Sequence, residues 1–334
     1  MIEYLKLKVF KGINRALLKP VFGPPFPYTL QRAWFEVMAT ACLVPKQTKI
    51  ESIAMNSVKA EKVTSTQSNH SETPQQSQGI ILYLHGGAYC ICSPRTHRSL
   101  TANLAKHCQM DVYVPDYRLA PEHAFPAGID DCIEAYQWLL IQGYRGEQIT
   151  LAGDSAGGGL VMATAQKIMQ QGLSKPCGLV LISPWVNQTL PQKDNQSDRI
   201  DSLLRWSNLA AGVSSYLQGH DARDPLASAV FADLTDFPPM LIQVGSEEVL
   251  LADARELHQR AEEFNLDVTL TEYQNAWHVF QLQAGMLKLA DKAITEIQQF
   301  VARDSTAKQS ATKRSAQKIP SQKTQLKQKT LERT

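Results

Sequence analysis

The chain has 334 residues, 43% of them hydrophobic and 20% charged, which suits a globular protein large enough for one α/β domain with insertions, or for two domains. Its formal charge of +2 conceals a division: residues 303–334 carry nine Lys or Arg and two acidic residues, a net of +7, so residues 1–302 carry a net of −5. An acidic body argues against a nucleic-acid-binding core, which would concentrate positive charge on the fold itself, and no apolar run reaches the ~18–20 residues of a membrane-spanning helix.

The first segment has Leu5, Val9, Ile13 and Leu17 at a spacing of four, the stripe of an amphipathic helix, with Lys6, Lys8, Lys11, Arg15 and Lys19 largely away from it. Lysines interrupt any apolar leader and no small-residue cleavage site follows, so the expected compartment is the cytoplasm. The stripe is expected to pack on the fold; a weak peripheral membrane contact through this helix and the Lys-rich tail is the alternative. Pro20, Pro24, Pro25 and Pro27 end the helix, and Trp34 to Val44 suggests a second short one. Residues 48–55 and 58–63 read as a strand pair. Residues 64–79 are almost wholly polar, a solvated loop.

Beyond this point apolar runs alternate with helical patterns. Residues 80–84, 112–114, 149–152, 179–182, 240–244 and 268–270 suit buried parallel strands. Residues 127–141, 156–171, 252–264 and 286–301 suit helices. The alternation implies a doubly wound, mostly parallel sheet flanked by helices. The polar stretch 185–224, with Trp206 and Tyr216, breaks the rhythm as an insertion placed to cover a site. Residues 303–334 are expected to be disordered. The six cysteines, Cys42, Cys90, Cys92, Cys108, Cys132 and Cys177, read as free thiols; Cys90 and Cys92 lack the Cys/His partners of a zinc site, and no metal is expected.

Three motifs carry chemistry. Gly153-Asp154-Ser155-Ala156-Gly157-Gly158 joins a strand to a helix. Flanking glycines there permit a tight turn that holds the Ser155 hydroxyl clear of the sheet, and the helix start offers unpaired N–H groups to an oxyanion. His85-Gly86-Gly87-Ala88-Tyr89 ends another strand; its backbone N–H groups, with that of Ala156, would complete an oxyanion hole. His85 itself reads as structural, because its loop supplies backbone donors. Asn275-Ala276-Trp277-His278-Val279-Phe280 follows the last strand and places His278 as general base. The acid belongs on the loop after strand 240–244, where Glu247 and Glu248 both qualify and Asp253 is a weaker candidate.

HGGAYCICSPRTHR (85–98), DYRLAPEHAFPA (116–127), GDSAGGGL (153–160), SPWVN (183–187) and NAWHVF (275–280) together resemble the bacterial hormone-sensitive-lipase-like esterases, the GDSAG branch of the GDXG lipolytic enzymes. The resemblance covers residues 48–301. It implies an α/β-hydrolase fold with a helical cap made of residues 1–47 and 185–224, a core of 48–184 and 225–302, and carboxylic-ester hydrolysis with no cofactor. It implies Ser155 as nucleophile, His278 as base, and Gly86, Gly87 and Ala156 as oxyanion donors. The family's acid is followed by x-Leu-x-Asp, which fits from Glu248 better than from Glu247, with Leu250 and then Asp253 behind it. Ala88 stands where many members have a third glycine; a methyl there need not abolish N–H donation but narrows the pocket. In DYRLAPEHAFPA, Arg118 and Glu122 are expected to brace the loop beneath the oxyanion residues, in preference to a catalytic role for Asp116, Glu122 or His123. The expected partner is a small ester of short to medium acyl chain. An amide or N-acetyl hydrolase and a longer-chain lipase share the same triad, and a non-catalytic receptor on this scaffold is a more distant alternative.

Overall fold

The computed structural model describes residues 2–66, 77, 79–190 and 195–317. Eight strands form one sheet: β1 (Thr48–Met55), β2 (Val58–Ser65), β3 (Ile80–Leu84), β4 (Asp111–Pro115), β5 (Ile149–Asp154), β6 (Gly178–Ile182), β7 (Met240–Gly245) and β8 (Val268–Tyr273). Their order is β1-β2-β4-β3-β5-β6-β7-β8. The hairpin β1–β2 and the β2–β4 pair are antiparallel; the rest is parallel.

Strands β3, β5, β6 and β7 are buried along their whole lengths, because helices cover both faces of the sheet. Alternation along β3 shows the division. Ile80, Leu82 and Leu84 join a core with α4 (Ala127–Ile141), α5 (Ala156–Gln170) and α8 (Leu251–Glu263). Ile81 and Tyr83 join the opposite core with α3 (Arg98–Cys108) and α9 (Lys288–Gln317). The chain passes from β3 to β4 on one side and returns to β5 on the other. Loops after β3 and β5 therefore diverge at a switch point, where doubly wound sheets form their crevice.

Helix α3 has no counterpart in the sequence reading: its inward residues include Ser99, Thr101 and Asn103, which mask the apolar period of Leu100 and Leu104. Helix α9 continues to Gln317, beyond the expected end at Val301. The expectation of disorder from 303 is thus corrected over 303–317, where Ala, Lys, Gln and Arg favour helix and the first proline is Pro320. Residues 318–334 lie outside the described residues, as does most of the polar loop 64–79.

The N-terminal segment forms α1 (Ile2–Ile13), a π-helical turn at Asn14–Leu18, and α2 (Tyr28–Ala39). The second helix starts six residues earlier than the sequence suggests. The insertion contributes α6 (Asn195–Ile200) and α7 (Trp206–Leu217). Hydrogen bonds tie the two regions together: Lys19 Nζ donates to the carbonyls of Asp198 and Asp201, and Tyr28 Oη lies 2.7 Å from Ser215 Oγ. The orientation of α1 corrects the sequence expectation. Leu7 and Phe10 pack inward and Phe10 stands over Trp277, while Leu5, Val9 and Leu17 face out. The helix is apolar on two sides, and the side that packs is not the one with the more regular period.

Candidate active site

Ser155 sits between β5 and α5 with φ +53° and ψ −121°, a positive-φ conformation costly for a residue with a Cβ. The surroundings hold it there. Its N–H donates to the carbonyl of Ile182, and its carbonyl accepts from the N–H groups of Gly158 and Trp185. Gly153 and Gly157 are required nearby: a Cβ on either would overlap the main chain of the other turn residues or of Leu84. Ala156 is the first residue of α5, so its N–H has no partner within the helix.

The oxyanion loop follows β3. Asp154 organises it from beneath, accepting from Tyr83 Oη at 2.6 Å and from the Gly86 N–H at 3.0 Å, with His97 Nε2 3.3 Å away. Burial would raise the Asp154 carboxyl, but His97 and Tyr83 outweigh it and hold it below its ordinary value. A Cβ on Gly86 would overlap this carboxylate. The expectation that Gly86 donates to an oxyanion is therefore corrected: its N–H is committed to Asp154. Gly87 and Ala88, one residue on, line the cavity with Ser155. His85 is wholly buried and stacked on Tyr117, and burial lowers its pKa to about 3. It is a neutral, structural imidazole.

His278 lies on the loop after β8. Its Nδ1 is 2.8 Å from Glu248 Oε2, and both side chains are buried. The other oxygen of Glu248 accepts from Ser183 Oγ at 2.8 Å and from the Gly245 N–H. Ser183 also accepts the N–H of Val279, so one hydroxyl links the acid loop to the histidine loop. Glu247 turns outward to an ion pair with Lys11 at 2.8 Å. Asp253 accepts the N–H groups of Val186 and Asn187, with burial raising its pKa to about 7. It braces the loop after β6 and does not meet His278.

Three polar groups here escaped the sequence reading. His97 supports Asp154, Ser183 supports Glu248, and Asp201, buried in the insertion, accepts the N–H of Val249 at 2.9 Å, directly beside Glu248. The family motif SPWVN contains Ser183 and was a signal for it; nothing local marks Asp201. In DYRLAPEHAFPA, Arg118 forks onto Asp131 of α4, and Glu122 forks onto Arg32 of α2, which also donates to the carbonyls of Cys90 and Ala120. The bracing is thus shared with α2.

Burial alone would lower the pKa of His278, but the hydrogen bond and charge of Glu248, with the charges of Asp201 and Asp154, raise it above the ordinary 6.5. A general base must be neutral to accept a proton. If His278 fills that role, activity falls on acidification through this raised pKa, and the acid limb of a kcat/KM–pH profile has its midpoint above 6.5. A midpoint at or below that value would show that the surrounding carboxylates do not govern the group.

Ser155 and His278 face a common cavity of about 270 Å³. Its walls are mostly apolar and come from Phe10, Ile13, Leu18, Met38, Leu203 and Leu282, so both the N-terminal segment and the insertion contribute. A hydroxyl, an imidazole fixed by a buried carboxylate, and backbone donors beside an apolar cleft can together open a carbonyl by nucleophilic attack.

Residues 81–282 match a family described as alpha/beta hydrolase fold. An esterase of Acinetobacter venetianus is 38% identical over 223 residues, covering 66% of this chain and 74% of that protein. An acetyl-hydrolase of Streptomyces hygroscopicus is 40% identical over 221 residues, covering 66% and 74%. The crystal structure of an esterase from the bacterial hormone-sensitive lipase family superposes with a TM-score of 0.83 at 33% identity, covering 90% of this chain and 98% of that one.

Proposed function

The chain belongs to the α/β-hydrolase family, among the bacterial hormone-sensitive-lipase-like esterases, and is a carboxylic ester hydrolase; we propose that it cleaves short- to medium-chain esters through an acyl-enzyme on Ser155. The observation that carries this reading is the buried 2.8 Å contact of His278 with Glu248 in a cavity that also exposes Ser155.

His278 takes the Ser155 proton as the hydroxyl oxygen attacks the ester carbonyl. The backbone N–H groups of Gly87, Ala88 and Ala156 receive the oxyanion, Glu248 stabilises the imidazolium, and His278 returns the proton to the departing alcohol. Water, activated by the same imidazole, then releases the acid. Residues 1–47 and 185–224 act as the cap, and a weak peripheral contact with a membrane surface is part of the proposal. The substrate is a small ester.

The cavity sets the acyl range. Pockets for drug-sized ligands run from roughly 300 to 1,000 Å³, so about 270 Å³ accommodates a short or medium acyl chain and not the three long chains of a fat. In a series of chromogenic esters, kcat/KM is expected to peak at short to medium chains and to fall at least roughly tenfold for a long-chain ester. Matched amides should be cleaved more slowly. A profile that climbs steadily to long chains, or that favours the amides, would overturn this substrate class.

A further inference from the structure

Among the described residues, large apolar side chains are exposed at thirteen positions, and eleven of these fall within residues 2–44. Leu5 and Val9 of α1 are 62% and 51% exposed, and Val37 of α2 is 61% exposed. Trp34 donates to the carbonyl of Leu17, holding α2 beside the end of the first helix. Scattered exposed apolar residues are ordinary, but a concentration in one small region marks a surface that meets something apolar.

Charge sorts the same way. Residues 1–47 hold seven Lys or Arg and two Glu, a net of +5, while residues 48–302 have a net charge of −10. The N-terminal segment is thus a positive pole on an acidic body. Lys11 and Arg32 are committed to ion pairs, but Lys8, Arg15 and Lys46 are exposed. Apolar side chains interleaved with exposed cations match an anionic lipid surface, where headgroups meet the cations and acyl chains receive the apolar groups. No helix among the described residues is long and apolar enough to cross a membrane, so the contact lies in the interface.

The cavity opens into this patch. Ile13 and Ala41 both line it and are exposed, so its mouth lies between α1 and the end of α2. We propose that the exposed face of α1 and α2 docks on an anionic lipid surface with the mouth of the cavity turned toward it, so that the enzyme draws esters partitioned into that surface. The substrate part rests on the esterase reading; the docking does not.

The test is co-sedimentation of the full chain with phosphatidylcholine vesicles, with and without phosphatidylglycerol, at low and high salt. A chromogenic butyrate ester, assayed without vesicles, reports the catalytic site separately. The chain is expected to pellet with anionic vesicles and to release as salt rises. A Leu5→Ser/Val9→Ser/Val37→Ser variant should lose about tenfold or more in vesicle affinity while hydrolysing soluble butyrate as before. Vesicle binding unchanged in the variant would overturn the proposal, because the basic tail would then suffice. So would absence of binding by the parent chain, or a dimer by light scattering that the variant dissociates, which would show that a second copy covers this face. Absence of butyrate hydrolysis by the parent chain, or its retention in Ser155→Ala, would overturn the esterase reading while vesicle binding lost in the triple variant would still carry the docking, so the two readings fail separately.

Discussion

Ser155→Ala is expected to lower kcat on a soluble butyrate ester by on the order of 10⁶-fold, to what substrate binding and the backbone donors supply without a nucleophile. The backbone of the turn should not change. Ser155 is held at φ +53° by its own N–H and carbonyl contacts and by the close approach of Gly153 and Gly157, none of which involves the hydroxyl. Alanine bears the same Cβ in the same strained conformation, so the variant should unfold at nearly the parent temperature. A fluorophosphonate should label the parent chain on Ser155 and leave the variant unlabelled. Retention of more than a few per cent of the parent kcat, or labelling elsewhere with parallel loss of activity, would remove Ser155 from the role of nucleophile.

The strands were legible because burial on both faces leaves continuous apolar runs such as Ile80–Leu84 and Met240–Gly245, which need no partner to be recognised. Candidate site residues were legible where the backbone itself demands particular neighbours. A serine in a tight strand-to-helix turn requires glycines beside it, and these stand adjacent in the sequence. Groups that act through distant partners were not legible. The commitment of the Gly86 N–H depends on Asp154, which comes from a different strand, so one motif alone could not show which two N–H groups remain for an oxyanion. Ser183 and Asp201 contact the acid loop from the end of β6 and from the insertion, and small polar residues there look like any loop residue. The facing of α1 is hidden from the sequence for a related reason. Two apolar lines run along it, and the choice between them is made by Trp277 and its neighbours, far along the chain.

Glu247 and Glu248 were nearly equivalent in the sequence, and their contacts now separate them. Lys11 draws Glu247 away from His278 into a partly buried ion pair, whereas Glu248 points inward with both oxygens engaged. This asymmetry predicts an effect larger than the loss of a charge. In Glu248→Gln, the position of Oε1 still faces two donors, the Ser183 hydroxyl and the Gly245 N–H. The amide keeps its oxygen there and turns its NH₂ group toward His278 Nδ1. That nitrogen must then accept, which places the imidazole proton on Nε2, the atom needed to take the proton from Ser155. The variant therefore loses the carboxylate that stabilises the imidazolium and holds the histidine in the wrong tautomer. We expect kcat to fall by roughly 10³–10⁴-fold, about 4–5.5 kcal/mol of transition-state stabilisation. The acid limb of the pH profile should also move down, since the largest influence raising the His278 pKa is gone. Glu247→Gln removes only a partly buried pair with Lys11 that does not touch His278, and its kcat should stay within about twofold of the parent. Steady-state kinetics of both variants across pH decide the matter: a crippled Glu247→Gln beside an active Glu248→Gln would reverse the assignment of the acid, and equal losses would mean that the contact of α1 with the acid loop matters as much as the contact with the histidine.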